Sequence, residues 1–333
     1  MAPLHIIVLS TLLAVTACQS DVGGHGTRPD TNSQDTNSQD ATSQDADALD
    51  AGRDTRDASA DTAPDTAQPD ADSADTTPTP PRCTSTEDAI QCTRNTAVFD
   101  PSDGFYERRE VHWQVPTGSP PAEGWPTAIL FQGSFYSSER YWEGERNDPM
   151  GLFHRVRTID KLLGAGFAVI TPEAHFAGST YWDTNIAPWA TNWTSAPDHE
   201  LMLDIFEAIE AGEFGDVDPD RLYAGGISSG GYMTSRMAVA YPGRFRALAI
   251  LSASYCWCAG YTCYVPSDLP DDHPPTLFVH GRLDNTVPIW TMTPYEEGLS
   301  DGGTPTRLLV DEDAGHHWIE EAPAAILDWF QTH

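Results

Sequence analysis

Seven runs of apolar, β-branched or aromatic residues recur along the chain, at 108–115, 127–132, 167–171, 221–226, 247–252, 276–280 and 306–311. Each is short and bounded by turn-forming residues, which predicts strands. Four stretches, 152–164, 199–213, 229–241 and 320–331, carry helical spacing instead. In 199–213 the apolar positions Leu201, Leu203, Ile205, Phe206 and Ile209 recur near a 3.6-residue period, with acidic residues between them. Strands alternating with helices predict an α/β fold with a mostly parallel sheet and helices on both faces. In such sheets ligands bind beyond the carboxyl ends of the strands. The loops after the strands are therefore where chemistry is to be sought.

Upstream of residue 83 this patterning is missing. Residues 6–15 (IIVLSTLLAV) form a ten-residue apolar run, too short to span a bilayer, and end in small residues before Cys18. This predicts an export signal over residues 1–18. Val15-Thr16-Ala17-Cys18 resembles a bacterial lipobox, which makes Cys18 a candidate lipidation site and anchor. The first five residues, Met1-Ala2-Pro3-Leu4-His5, lack the usual Lys or Arg, so plain cleavage with release is the rival reading. Residues 19–82 hold fourteen Asp, no Glu, four Arg and no Phe, Tyr, Trp or Ile. They include the repeat Asp-Thr-Asn-Ser-Gln from Asp30 and have almost nothing to bury, which predicts an extended, self-repelling tether. Spaced Asp residues alone do not make a calcium loop, because no turn glycine and bidentate Glu complete one. Residues 83–333 are of single-domain size.

Charge narrows the function. The chain of 333 residues has a formal net charge of −32, and its single lysine is Lys161. A nucleic-acid or anionic-lipid binder needs a basic face, so those partners are excluded. Besides Cys18 there are five cysteines: Cys83, Cys92, Cys256, Cys258 and Cys263. Cys83 and Cys92 are the obvious local pair. Within the other three, one bridge to Cys263 is expected, its partner being open between Cys256 and Cys258. No paired histidines accompany them, so disulfides in an oxidising compartment are preferred to a zinc site.

The chemistry concentrates in Gly226-Ile227-Ser228-Ser229-Gly230, which matches the G-x-S-x-G nucleophile elbow and lies between a predicted strand and a predicted helix. A serine nucleophile needs a base, and the base an orienting carboxylate. Downstream, Asp284 follows strand 276–280, and His316 follows the last strand behind the small pair Ala314-Gly315, with His317 as stand-in. The order Ser, Asp, His is the one this fold uses. An oxyanion also needs preformed donors. The Ser229 N–H is one candidate, and the Ser134 N–H in Gln132-Gly133-Ser134-Phe135-Tyr136 the other, with Gln132 where many esterases carry His. Phe135, Tyr136, Trp290 and Trp318 are candidates for an apolar substrate surface. For Trp290 and Trp318, as for Trp182, Trp189 and Trp193, core packing is the equal alternative. His112, His154, His175 and His199 lack metal-like spacing, and His280 reads as a strand-end residue. Only 23 residues separate strands 247–252 and 276–280, and three of them are cysteines, so no large lid is expected.

Gly226-Ile227-Ser228-Ser229-Gly230-Gly231-Tyr232-Met233, the Gln132-Gly133-Ser134 loop and Gly315-His316-His317-Trp318 together resemble extracellular medium-chain-length polyhydroxyalkanoate depolymerases. The resemblance covers roughly residues 95–333. It implies an α/β-hydrolase without a separate polymer-binding module, with Ser228 as nucleophile, His316 as base and then acid, and Asp284 as its partner. It also implies a hydrophobic polyester substrate and no metal or organic cofactor. The anchor signal and Asp-rich tether depart from the family pattern. A secreted carbohydrate or aryl esterase, of feruloyl or acetylxylan type, is the alternative enzyme; a catalytically idle surface-tethered binding protein is the alternative outside enzymology.

Overall fold

The computed structural model describes residues 80–100, 108–175 and 181–333. The export signal, Cys18 and nearly all of the tether lie outside the described residues. Arg82, assigned above to the tether, already belongs to the folded part: its Nε donates to Val115 O at 3.0 Å.

Three short strands, β1 (Cys83–Ser85), β2 (Ala89–Cys92) and β6 (Glu143–Glu145), form a small antiparallel sheet in the order β1-β2-β6. Cys83 and Cys92 are register partners on β1 and β2 and are joined by a disulfide. The main sheet contains β3 (Asn95–Phe99), β4 (Arg109–Gln114), β5 (Trp125–Phe131), β7 (Ala168–Pro172), β8 (Val217–Ile227), β9 (Phe245–Leu251), β10 (Thr276–Gly281) and β11 (Thr306–Asp311). Their order is β11-β10-β9-β8-β5-β7-β4-β3. Pairing is parallel from β11 through β7, and antiparallel where β4 joins β7 and β3 joins β4.

Helices α1 (Leu152–Gly164) and α5 (Ala322–Thr332) cover one face. Helices α2 (Pro197–Glu210) and α3 (Ser229–Ala240) cover the other, and α4 (Thr293–Asp301) extends that layer. Strand alternation sorts the side chains. Ala128, Leu130, Leu277 and Val279 pack with Ile159, Leu162 and Ile326 of α1 and α5. Ile129 and Phe131 pack with Met202, Ile205 and Met233 of α2 and α3, and Phe278 packs against Tyr295 and Leu299 of α4. A sheet buried on both faces requires near-continuous apolar strands, which is why β5 and β7 stood out in the sequence. The shorter, half-exposed β1, β2, β3 and β6, and α4 with its internal Gly298, were not predicted.

The 252–275 connection between β9 and β10 contains no helix. A disulfide between Cys258 and Cys263 closes it. Cys256, the other candidate partner, is a buried free thiol among Tyr232, Tyr255 and Tyr295. No described helix is long and apolar enough to cross a membrane.

Candidate active site

β8 ends at Ile227 and α3 begins at Ser229, so Ser228 makes the whole turn, at φ 57° and ψ −122°. Close packing forces glycine on either side. A Cβ at Gly226 would lie 2.5 Å from Gly230 O, and one at Gly230 would lie 2.1 Å from Phe131 O. Side chains at both positions are thus excluded by backbone, and the helix can sit hard against β5. The Ser228 amide donates to Leu251 O at 3.0 Å, and its carbonyl accepts from Tyr232 N at 3.0 Å, which pins the turn from both sides.

Asp284 lies on the turn after β10 and is buried. Its Oδ1 accepts from the amides of Thr286 and Val287 at 2.9 and 2.8 Å, and its Oδ2 from His316 Nδ1 at 2.7 Å. Burial pushes the Asp284 pKa up. The hydrogen bond and charge of His316, with the two amides, outweigh that and hold the carboxyl below its ordinary range. The carboxylate fixes Nδ1 as the protonated nitrogen and leaves Nε2 as a base. His317 is exposed, and His316 alone of the two bonds Asp284. His280, buried at the end of β10, donates from Nε2 to Val287 O at 2.8 Å and lies 3.6 Å from Asp284 Oδ2. Burial pushes its pKa down.

Ser228 and His316 line one open cleft of about 530 Å³ together with Gly133, Ser134, Phe135, Tyr136, Met150, Arg155, Ile227 and Thr286. A Cβ at Gly133 would be 3.5 Å from Ser228 Cβ, so the Gln132–Tyr136 loop runs directly beside the serine. Glu173, past the end of β7, shapes that loop. Its Oε1 accepts from Gln132 Nε2 at 2.9 Å, and its Oε2 accepts from Ser138 N and Oγ at 2.6 and 2.7 Å. Gln132 also donates to Tyr136 O. The side chain at the position where many esterases carry His is therefore spent on holding the loop.

The four aromatic candidates part company here. Phe135 is 80% exposed and lines the cleft, as does Tyr136. Trp290 is 57% exposed and pairs with exposed Tyr261 at a centroid distance of 6.4 Å; it does not line the cleft. Trp318 is corrected outright: at 0% exposure it is core, edge-on to Tyr141, with Nε1 donating to Thr158 Oγ1 at 3.2 Å. Its backbone N–H donates to Met150 O at 3.0 Å, tying the His316 loop to the start of α1. Trp182 and Trp193 are also core.

Two features of this region left no trace in the sequence. Arg155, on α1, reaches the cleft. Arg109, His175, Asp183 and Asp198, from distant segments, form a network beside α2. Arg109 Nη1 lies 2.8 Å from Asp198 Oδ1, Arg109 Nη2 lies 2.8 Å from His175 Nδ1, and His175 Nε2 lies 2.8 Å from Asp183 Oδ1. The His and the two Asp offer ligand atoms within 4.8 Å of one another, but the guanidinium already supplies the positive charge they need.

Comparison with known proteins places the chain among proteins of this fold. The prolyl oligopeptidase family model matches residues 157–264. Among solved structures, a ferulic acid esterase superposes with a TM-score of 0.52 at 16% identity, over 73% of this chain and 98% of that one. The acylaminoacyl peptidase of Pyrococcus horikoshii does so with a TM-score of 0.50 at 16% identity, over 72% of this chain and 40% of that one. These show the fold. The poly(3-hydroxyoctanoate) depolymerase of Pseudomonas fluorescens is 40% identical over 244 residues, which are 73% of this chain and 86% of the relative. With that identity over most of the chain, the protein is a carboxylic ester hydrolase and belongs to the polyhydroxyalkanoate depolymerase family.

Proposed function

We propose that the protein is an exported serine esterase that hydrolyses the ester bonds of a medium-chain-length poly(3-hydroxyalkanoate), such as poly(3-hydroxyoctanoate). The observation that carries the reading is the 2.7 Å His316–Asp284 hydrogen bond in the cleft that holds Ser228 on its strained turn. The substrate is proposed by similarity to the Pseudomonas fluorescens enzyme. Ser228 Oγ attacks the ester carbonyl while His316 Nε2 takes its proton, and Asp284 stabilises the imidazolium. The N–H groups of Ser229 and Ser134 receive the developing oxyanion. His316 returns the proton to the leaving alkoxide. A water deprotonated by the same nitrogen then frees the 3-hydroxyacyl group.

A solid substrate must be approached by a surface, and the surroundings of the cleft suit a neutral polyester. Phe135 protrudes at the mouth. Beyond it lie exposed Trp257, Tyr261, Tyr264 and Trp290, the first and third stacked at 6.0 Å. Tyr261 Oη donates to Asn285 O, next to Asp284, so this aromatic group joins the catalytic loop. Residues 247–267 and 285–295 contain no Asp, Glu, Lys or Arg, in a chain of −32 formal charge. Export agrees with the two disulfides, and Cys18 is the proposed anchor.

The test is clearing of a poly(3-hydroxyoctanoate) latex by the full chain, beside a poly(3-hydroxybutyrate) suspension. The octanoate polymer alone should clear, and Ser228→Ala should abolish clearing. Hydrolysis of a soluble octanoate ester with neither polymer cleared would refute the polymer assignment and keep the serine esterase.

A further inference from the structure

Arg155 is a charged side chain that no acidic group among the described residues neutralises. It is 1% exposed, and its Nε and Nη1 are enclosed without a hydrogen-bond partner. Three aromatic rings surround the guanidinium carbon: Tyr136 at 5.0 Å, Tyr141 at 5.0 Å and Trp318 at 5.9 Å. Among the described residues no carboxylate forms an ion pair with it, and the charged group that acts on it is another cation, Arg140. Ring faces stabilise a cation in part, but a buried charge without a counter-ion is among the costliest arrangements a protein keeps. Burial accordingly pushes the Arg155 pKa down.

Its position bears on what could balance that charge. Arg155 lines the same cleft as Ser228 and His316. Tyr136 belongs to the loop beside Ser228, and Trp318 follows His316 by two residues, so the cation is held between the proposed oxyanion loop and the base loop. Guanidinium is the side chain suited to carboxylate recognition.

We infer that Arg155 forms an anion subsite in the catalytic cleft that takes the free carboxylate at the end of a 3-hydroxyacyl chain, so that the enzyme cleaves from the carboxyl terminus. This rests on the esterase reading above and adds the direction of attack. In the terminal ester, the leaving alcohol is a 3-hydroxyalkanoate whose carboxylate lies two carbons from the carbinol carbon. Attack of Ser228 Oγ forms the acyl-enzyme and breaks the bond from the carbonyl carbon to that alcohol oxygen. The serine proton passes through His316 to the same oxygen, and the freed 3-hydroxyalkanoate leaves with its carboxylate. The net negative field of the protein disfavours any anion, so a preference for the charged chain end requires a local cation, and Arg155 is the one Lys or Arg among the described residues that line the cleft.

The experiment compares the linear dimer of 3-hydroxyoctanoate with its methyl ester, both soluble. For the wild-type full chain, kcat/KM for the acid should exceed that for the methyl ester at least tenfold, chiefly through KM. Arg155→Met should bring the ratio to about one, and Arg155→Lys should keep part of it. A ratio equal in wild type and Arg155→Met, whatever the absolute rates, overturns the proposal and leaves Arg155 a structural cation. Should Arg155→Met fail to fold, the wild type decides alone. Free 3-hydroxyoctanoate should inhibit p-nitrophenyl octanoate hydrolysis at least tenfold more strongly than methyl 3-hydroxyoctanoate, and equal inhibition overturns the subsite. Uncleared latex with the acid preference intact would refute the polymer substrate and leave the subsite standing.

Discussion

Asp284 receives three hydrogen bonds on two oxygens, and only one of them comes from His316. The two amides fix the carboxylate before the imidazole arrives, so Asp284→Asn should leave the turn in place while presenting an amide to Nδ1. The wrong tautomer then faces Ser228. We expect kcat on p-nitrophenyl octanoate to fall about 10³–10⁴-fold with KM little changed; a loss under tenfold in steady-state kinetics would remove Asp284 from the proposed mechanism. Asp284 and His316 were legible because each follows a strong strand in the order the elbow demands. Trp318 was misread for a physical reason: nearness in sequence to a site residue does not say which way a ring turns, and this one turns inward onto Tyr141. Arg155 was invisible, since beside Arg157 on a helix it reads as one more solvated charge. Only the fold shows that one is buried in the cleft.

At the scale of elements, the parallel strands and the helices α1, α2, α3 and α5 were readable because burial on both faces of a sheet, or on one stripe of a helix, leaves a long apolar signature. α4 buries only Tyr295 and Leu299, and β1, β2 and β6 span three or four residues each. Such short elements take their structure from tertiary pairing and leave no period to find. The 252–275 connection shows the same limit: its cysteines were evident, while the pairing of its exposed Tyr261 with Trp290 was not. Replacing Tyr261 and Trp290 together by Ser should lower the ratio of latex clearing to soluble-ester turnover at least fivefold. An unchanged ratio would mean that these rings do not meet the polymer.

For the whole molecule, acid sensitivity has an identifiable contributor far from the cleft. His273 Nδ1 donates to Pro274 O at 2.8 Å, and its Nε2 accepts from Tyr295 Oη at 2.6 Å, an arrangement that needs the neutral ring. Burial pushes its pKa down from 6.5 to about 4. The unfolded chain therefore binds a proton that the folded chain refuses between pH 6.5 and 4. The stability from this group is complete above pH 6.5 and is lost as pH falls through that window, by about 3 kcal/mol. Urea unfolding at pH 7 and pH 4.5 should show a smaller difference for His273→Gln than for wild type; equal differences would remove His273 as the cause.

The turn at Ser228 bears on how the protein melts. A serine at φ 57° and ψ −122° holds a conformation that costs on the order of 1–3 kcal/mol and that glycine adopts freely. Ser228→Gly releases that cost and loses roughly 0.5–1 kcal/mol to the greater freedom of the unfolded chain, a net gain of about 1 kcal/mol. Calorimetry should find its Tm about 2–4 °C above that of wild type, whereas Ser228→Ala, which keeps its Cβ and the strain, should show no such rise. Under the proposed mechanism, heat resistance and turnover are set against each other at this one backbone position, and the glycine variant, inert by that mechanism, should be the last to unfold.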